Sequence, residues 1–387
     1  MPPKAKYNKE ILKWARTSAK VSMEKAAKTI SKSCKAERIK EWESPEGKDA
    51  PSVNQLKKLA RLYRRPVEVF SLPFIPKEFP ALKDFRKQKD DLGTAVVFVM
   101  REIQEKQEWL RNFYLKGRGA KLPFVGKYTI KSDPSVVAED IRKTLSIGAI
   151  KSDVKPLKYW IEKAEAKRIF IALTSNYHSR LKLDSDIFKG FVIADNFAPF
   201  IFINTDDWDH GQLFTLVHEL VHIWIGVSGI SSDVSVFSNR SELHPVEKFC
   251  NDVSAKVLLP ENVLKEFLPS KGAIEYKHIS KASRRIGASA RAIVLRMQEL
   301  EMLNNEDCKS LLRNADDAWK DFLDKEARKP KSKGGPNYYI MQLRRNGNLF
   351  SGIVLENYNK GKIDGDFAGR LLNIKEANFE KFKKFVR

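Results

Sequence analysis

PFIFINTDDWDHGQLFTLVHELVHIWIG, residues 199–226, decides how the chain is read. Pro199 starts an apolar run, Phe200-Ile201-Phe202-Ile203, whose length and flanks predict a short strand. After a polar turn Leu213, Leu216, Val217, Leu220, Val221 and Trp224 recur at three- and four-residue spacing, the period of an amphipathic helix. Inside that helix lies His218-Glu219-Leu220-Val221-His222. At about 3.6 residues per turn, His218 and His222 stand one above the other on one face. Their imidazoles can therefore take two corners of a tetrahedral Zn2+ site. Glu219 is one position round, able to reach a water at the metal without binding the metal itself. This H-E-x-x-H spacing is that of a zinc peptidase whose carboxylate is the general base. The competing reading, a helix with two satisfied core histidines, leaves the motif's place behind a strand unexplained.

A third ligand must come from elsewhere. PVEKFCNDVSAKVLL (245–259) predicts a second helix, with Pro245 in its first turn and Pro260 ending it. Val246, Phe249, Cys250, Val253, Val257 and Leu258 form its buried stripe, and Glu247 borders that stripe. Asn251 is one turn on, on the same face, where it could orient a ligand. Asp233, Glu242 and His244 in the connecting loop compete, His244 foremost, but a rigid helix holds a ligand better than a loop does. The bland alternative for Glu247 is a solvated charge at the helix edge. Cys250, within the stripe, reads as packing rather than as a nucleophile.

FTLVHELVH (214–222) followed by VEKFCNDVSAKVLLP (246–260) resembles the ImmA/IrrE-type zinc metallopeptidases. The resemblance extends over the approach segments RIFIALT (168–174) and FKGFVIADNFAPFIFIN (188–204), and more weakly to both flanks. It implies a zincin-like domain in which His218, His222 and Glu247 hold Zn2+ and Glu219 is the catalytic base. It further implies site-specific cleavage of a regulatory protein, often a repressor.

The 387 residues suffice for two or three domains. No run of eighteen or more apolar residues occurs and the start, MPPKAKYNKE, lacks an apolar signal segment, so a cytoplasmic protein without membrane association is expected. Cys34, Cys250 and Cys308 are too scattered for a disulfide framework or a thiolate metal site. The net charge of +22 is uneven. Residues 1–70 carry 18 Lys and Arg against 8 Asp and Glu, and residues 268–387 carry 25 against 15, whereas residues 167–267 carry 9 against 13. Basic flanks around a mildly acidic centre suggest a polyanion-binding surface apart from the metal site.

Residues 1–72 are expected to form one domain, with five short helices predicted over 9–70. Ser22 caps the second, MEKAAKTI; the third, KAERIKEWE, is basic; Ser52 and Gln55 form a capping box before the fourth; Pro66 starts the fifth. This pattern resembles the XRE/Cro-type helix-turn-helix domain, although the turn Ser44-Pro45-Glu46-Gly47 is two residues longer than usual. The resemblance implies DNA binding, with Lys32, Lys35, Arg38 and Lys40 as contacts. A helical module that binds protein is the alternative.

Residues 73–166 form a proline-marked linker, which ends in Asp84-Phe85-Arg86, and a helical scaffold with core Trp109 and Trp160. Residues 167–303 are the expected zincin-like domain. Its strands are placed at 168–173, 188–194 and 200–203, the last at a sheet edge open to an extended peptide. Tyr177, His178 and His244 are candidates for stabilising an oxyanion. HISKASRRIGASARAIVLRMQELEML (278–303), with Arg284, Arg285, Arg291 and Arg296, has a second helix-turn-helix shape and is read as part of the peptidase body. Residues 304–387 predict a basic linker, ARKPKSKGGPN (327–337), and short helices broken at Gly347, Gly361 and Gly365.

The fold class expected is α+β. The function expected is a zinc-dependent site-specific endopeptidase with a DNA-binding head, acting on a repressor or toxin partner in a prophage or toxin–antitoxin setting. The alternative is a non-proteolytic transcription regulator or antitoxin with a structural or sensory zinc site.

Overall fold

The computed structural model describes residues 4–76, 82–85, 93–150, 153–178, 181–231, 243–269, 272–328 and 337–386, with the backbone alone for Tyr177 and His178. The fold is α+β and divides into two units. The first comprises Met1–Ala81, Asp91–Gln104 and Asn176–Lys182. The second comprises Leu82–Asp90, Glu105–Ser175 and Leu183–Arg387.

In the first unit, helices α1 (Lys9–Ser18), α2 (Met23–Ile30), α3 (Ala36–Glu43) and α4 (Val53–Tyr63) precede a 3-10 turn, Val67–Ser71. Their starts are written in the sequence. Asn8 accepts from the backbone of Glu10 and Ile11, Ser22 accepts from Lys25, and Ser52 with Gln55 closes the capping box. Ile11, Leu12, Ala15, Ala27, Ile39, Trp42, Leu59 and Tyr63 meet in one core. Buried within the bundle, the Arg16 guanidinium donates to both carboxylate oxygens of Glu43 at 2.7 and 2.8 Å. The long turn after α3 closes through Gly47 N donating to Ser44 O, and Lys9 Nζ ties it down on Gly47 O at 2.7 Å. The antiparallel pair β3 (Asn176–His178) and β4 (Leu181–Lys182) also belongs to this unit.

The second unit is built on five strands in the order β1-β7-β5-β6-β2. They are β1 (Lys83–Asp84), β2 (Phe170–Thr174), β5 (Gly190–Ile193), β6 (Phe200–Asn204) and β7 (Gly229–Ser231). β2 runs parallel to β6, β5 antiparallel to β6 and β7, and β1 parallel to β7. The expectation that the strand before the motif is a sheet edge is therefore corrected. β2 crosses over to pair with the far side of β6, so both edges of β6 are occupied and all five of its residues are buried.

Helix α5 (Gly93–Lys116) divides at Gln104, its first residues belonging to the first unit and the rest to the second. α6 (Pro134–Leu145), capped by Asp133, and α7 (Pro156–Glu165) follow. α8 (Asp209–Trp224) carries the motif, and α9 (Pro245–Leu258) packs beside it. α8 is buried without a break from Gln212 to Trp224, because β5 and β6 cover one side and α6, α7 and α9 cover the others. It is thus a core helix buried all round, its polar Gln212, Thr215, His218, Glu219 and His222 included, rather than a helix with one solvated face as its spacing suggested. Gly190 sets its closeness to the sheet: a Cβ there would stand 2.9 Å from Thr215 Cγ2 and 2.7 Å from Phe202 O. The missing side chain lets α8 press Glu219 against β5.

Beyond lie α10 (Glu261–Lys265), α11 (Tyr276–Ile286), α12 (Ala290–Glu299) and α13 (Asn305–Arg328). The chain closes with α14 (Tyr338–Asn346), α15 (Asn348–Asn359), α16 (Gly365–Leu372) and α17 (Phe379–Lys383). Arg296 is not on a basic surface but 8 % exposed, its Nε donating to Leu259 O and its guanidinium paired with Glu299. Among the described residues, no helix is long and apolar enough to cross a membrane.

Candidate metal centre

α8 brings His218, Glu219 and His222 to its contact with α9, and α9 supplies Glu247, Cys250 and Asn251. His218, Glu219 and His222 are fully buried, and Glu247 is 2 % exposed. The two imidazole Nε2 atoms are 3.2 Å apart. Glu247 spans them, its Oε2 3.1 Å from His218 Nε2 and its Oε1 3.1 Å from His222 Nε2. Nitrogen and oxygen ligands about 2.0–2.1 Å from a tetrahedral zinc lie roughly 3.3 Å from one another. The three side chains already form a triangle of that size. Asn251 Oδ1 accepts from His218 Nδ1 at 2.9 Å, so the proton of the neutral ring sits on Nδ1 and the lone pair of Nε2 faces the centre.

The electrostatics point the same way. Burial drives the Glu219 carboxyl up to about 8, and the Glu247 charge adds to this, while His218 and Ser231 oppose it. Ser231 acts on Glu219 only weakly: among the described residues, neither carboxylate oxygen makes a hydrogen bond of good geometry. Burial also pushes on Glu247, but His218 and His222 outweigh it and hold that carboxyl down at about 2. Burial lowers the affinity of both imidazoles for a proton; Glu247 reverses the effect at His218, whereas burial prevails at His222. Two buried imidazoles, an ionised carboxylate and a second buried carboxyl form a donor set that a divalent cation satisfies.

Cys250 offers a second possible set. A sulfur, an imidazole nitrogen of His218 and one of His222 all lie within 4.8 Å of one another. Glu247 fits better as third ligand: its oxygens are at 3.1 Å from both imidazoles. Burial, together with the Glu247 and Glu219 charges, also raises the Cys250 thiol well above its ordinary value, disfavouring the thiolate that binds metal.

His244, the loop rival, is exposed and faces elsewhere. Its Nδ1 accepts from Val246 N to cap α9, and its ring lies against Phe85. Asp233 and Glu242 lie outside the described residues, as do the side chains of Tyr177 and His178. In the first unit Lys32, Lys35, Arg38 and Lys40 are exposed on and just before α3. Arg38 donates to Asp49 at 3.1 Å and lies over the Trp42 ring. Two residues near the centre escaped the sequence reading: Ser231, which acts on Glu219, and Phe85, stacked on His222.

Residues 166–298 match the peptidase M78 family model, described as the IrrE N-terminal-like domain. The matched stretch holds α8 and α9 with every residue of the triangle; residues 1–165 and 299–387 lie outside it. No curated protein matches the chain. The family match and the buried cluster together support a metallopeptidase-type function for this part of the chain.

Proposed function

We propose that the chain is a zinc-dependent site-specific endopeptidase, cytoplasmic, with a DNA-binding head, and that its substrate is a regulatory protein such as a repressor or a toxin partner. One observation carries the reading: Glu219, buried and, among the described residues, without a hydrogen bond of good geometry, stands one residue from a triangle of zinc-type donors. His218, His222 and Glu247 would hold Zn2+, which when bound supplies Lewis acidity that polarises a peptide carbonyl and acidifies water. Glu219 moves the protons, taking one from the attacking water and returning it to the leaving amine. Burial pushes this carboxyl up to about 8 in the metal-free protein; a cation beside it would favour the ionised form, the one that can take a proton. Asn251 fixes the tautomer of His218. A purely structural or sensory zinc site has no use for such a carboxyl, which weighs against the non-proteolytic alternative.

The basic first unit, with Lys32, Lys35, Arg38 and Lys40 exposed around α3, supports the DNA-binding head. A prophage or toxin–antitoxin locus is the setting in which such a pairing of head and peptidase makes sense.

The test is Glu219→Gln, which keeps shape and removes the base. Cells expressing the wild-type chain are expected to accumulate new protein N-termini at one or a few sites, and cells expressing the variant none, while both purified proteins bind one zinc. Identical N-termini from the two would remove the peptidase reading.

A further inference from the structure

We propose that Phe85 is a positioning residue of the metal centre: the segment that leads into the second unit lays its aromatic ring on His222 and holds that ligand's plane. This inference rests on the metal-site reading above. The two imidazoles are held differently. His218 is fixed through Nδ1 by Asn251 at 2.9 Å, whereas His222 Nδ1 is buried and, among the described residues, makes no hydrogen bond of good geometry, the backbone of Val227 acting on the ring only weakly. Among the described residues, the hydrogen bond that usually orients a ligating histidine is thus well formed at one ligand and poorly formed at the other. At His222 a ring face stands in its place. Phe85 stacks on the imidazole with centroids 5.7 Å apart and planes 22° from parallel. A flat neighbour at that angle restricts rotation of the imidazole about its bond to Cβ, which is the motion that would swing Nε2 out of the triangle.

The backbone is arranged to deliver that ring. β1 pairs with β7 in register Lys83↔Gly229 and Asp84↔Ile230, and Phe85 N donates to Ile230 O at 3.2 Å. The ring then crosses β7 at Gly229, where a Cβ would stand 2.2 Å from Phe85 Cε2 and 2.4 Å from Cδ2. Only a residue without a side chain lets the ring pass at that point. Its other neighbour is His244, 5.0 Å away, which caps the helix carrying Glu247. Phe85 therefore touches one ligand directly and the cap of the other ligand's helix. Lys83 is exposed and Asp84 half-buried, so Phe85 is the aromatic side chain that this two-residue strand delivers. Phe85 also lies outside residues 166–298, so the metal centre draws on a side chain that the matched domain does not contain.

The test uses the full-length protein loaded with zinc by competition against a chromophoric chelator, and with Co2+ for its absorption spectrum. Phe85→Ala is expected to weaken zinc about tenfold, the lower end of the loss on removing a ligand-orienting group, and to shift the Co2+ bands. Phe85→Tyr is expected to restore both, and Phe85→Leu, which keeps apolar bulk without a flat face, to restore neither. Gly229→Ala, which displaces the ring while leaving Phe85 in the sequence, should reproduce Phe85→Ala; this and Phe85→Leu carry the test if the alanine variant does not fold. Melting of the chelated proteins supplies the folding control. Wild-type affinity and spectrum in the folded alanine or Gly229→Ala variant would overturn the inference, as would rescue by leucine equal to that by tyrosine. A wild-type chain that binds no metal would instead sink the peptidase reading itself.

Discussion

Glu247 and Cys250 stand three residues apart on α9, and each offers a third donor to the same two imidazoles. The choice between them follows from charge. The carboxylate is ionised and spans both rings, while the thiol is kept protonated by burial and by the carboxylates beside it. Glu247→Ala is therefore expected to weaken zinc by more than roughly a hundredfold, beyond the cost of losing an outer group, and Asn251→Ala by roughly ten- to a hundredfold. Cys250→Ser should leave the affinity near wild type. Competition titration reads all three, and a reversed order for Glu247 and Cys250 would move the third ligand to the thiol. At this scale the sequence is readable wherever the backbone fixes the distance. His218, Glu219 and His222 share one turn and its neighbour, and the stripe of α9 places Glu247 and Asn251 on one face. Ser231 and Phe85 were not readable, because each meets α8 only through strand pairings that no local spacing encodes.

Among the elements, helix ends were the most legible feature: Ser22, Ser52 with Gln55, and Asp133 all cap where their side chains predict. Strand order was not. β2 and β6 pair in parallel across an intervening hairpin and β5, so the position of β6 depends on a crossover and not on its own residues. Charge was ambiguous for a similar reason. Arg142, Lys143, Lys256 and Arg296 line one cavity of about 580 Å³, yet each lies in the last turn of α6, α9 or α12. Arg142 donates to Val257 O and Arg296 to Leu259 O, while Arg296 and Lys256 pair with Glu299, so much of this basic cluster is engaged within the fold. α3 differs in kind, because Lys35, Arg38 and Lys40 are exposed and, among the described residues, Arg38 alone of the three is in an ion pair. If α3 meets a phosphate backbone, the first unit's affinity for duplex DNA should fall steeply with salt. Lys35→Ala combined with Arg38→Ala should flatten that slope by about two, roughly one for each phosphate that the pair would otherwise neutralise. A mobility-shift series across salt concentrations measures it, and an unchanged slope would take α3 out of contact with DNA.

For the molecule as a whole, α8 and α9 are core helices that carry the proposed ligands, so loading the centre is expected to stabilise the second unit. Without metal, Glu219 has its folded-state pKa raised from an ordinary 4.5 to about 8. The stability that its protonated form contributes is complete below pH 4.5 and is lost as pH rises through about 8. Glu247 behaves oppositely: with its pKa lowered to about 2, its ionised form contributes above pH 4.5 and loses that contribution only as pH falls through about 2. Between about pH 5.5 and about pH 8 the change in the apo protein at these two carboxyls is therefore governed by Glu219. A cation beside the carboxyl favours its ionised form and removes the penalty. Zinc binding is accordingly expected to expel protons in this window, and the gap in Tm between zinc-loaded and chelated protein to widen as pH rises. Free zinc at a hundred times its Kd would add about 2.7 kcal/mol, so the gap must be compared at constant saturation. Calorimetric titration in two buffers of different ionisation enthalpy counts the protons directly. Glu219→Gln supplies the control: it should release fewer protons than the wild type while still binding zinc, and equal release would show that the buried carboxyl is already ionised before the metal arrives.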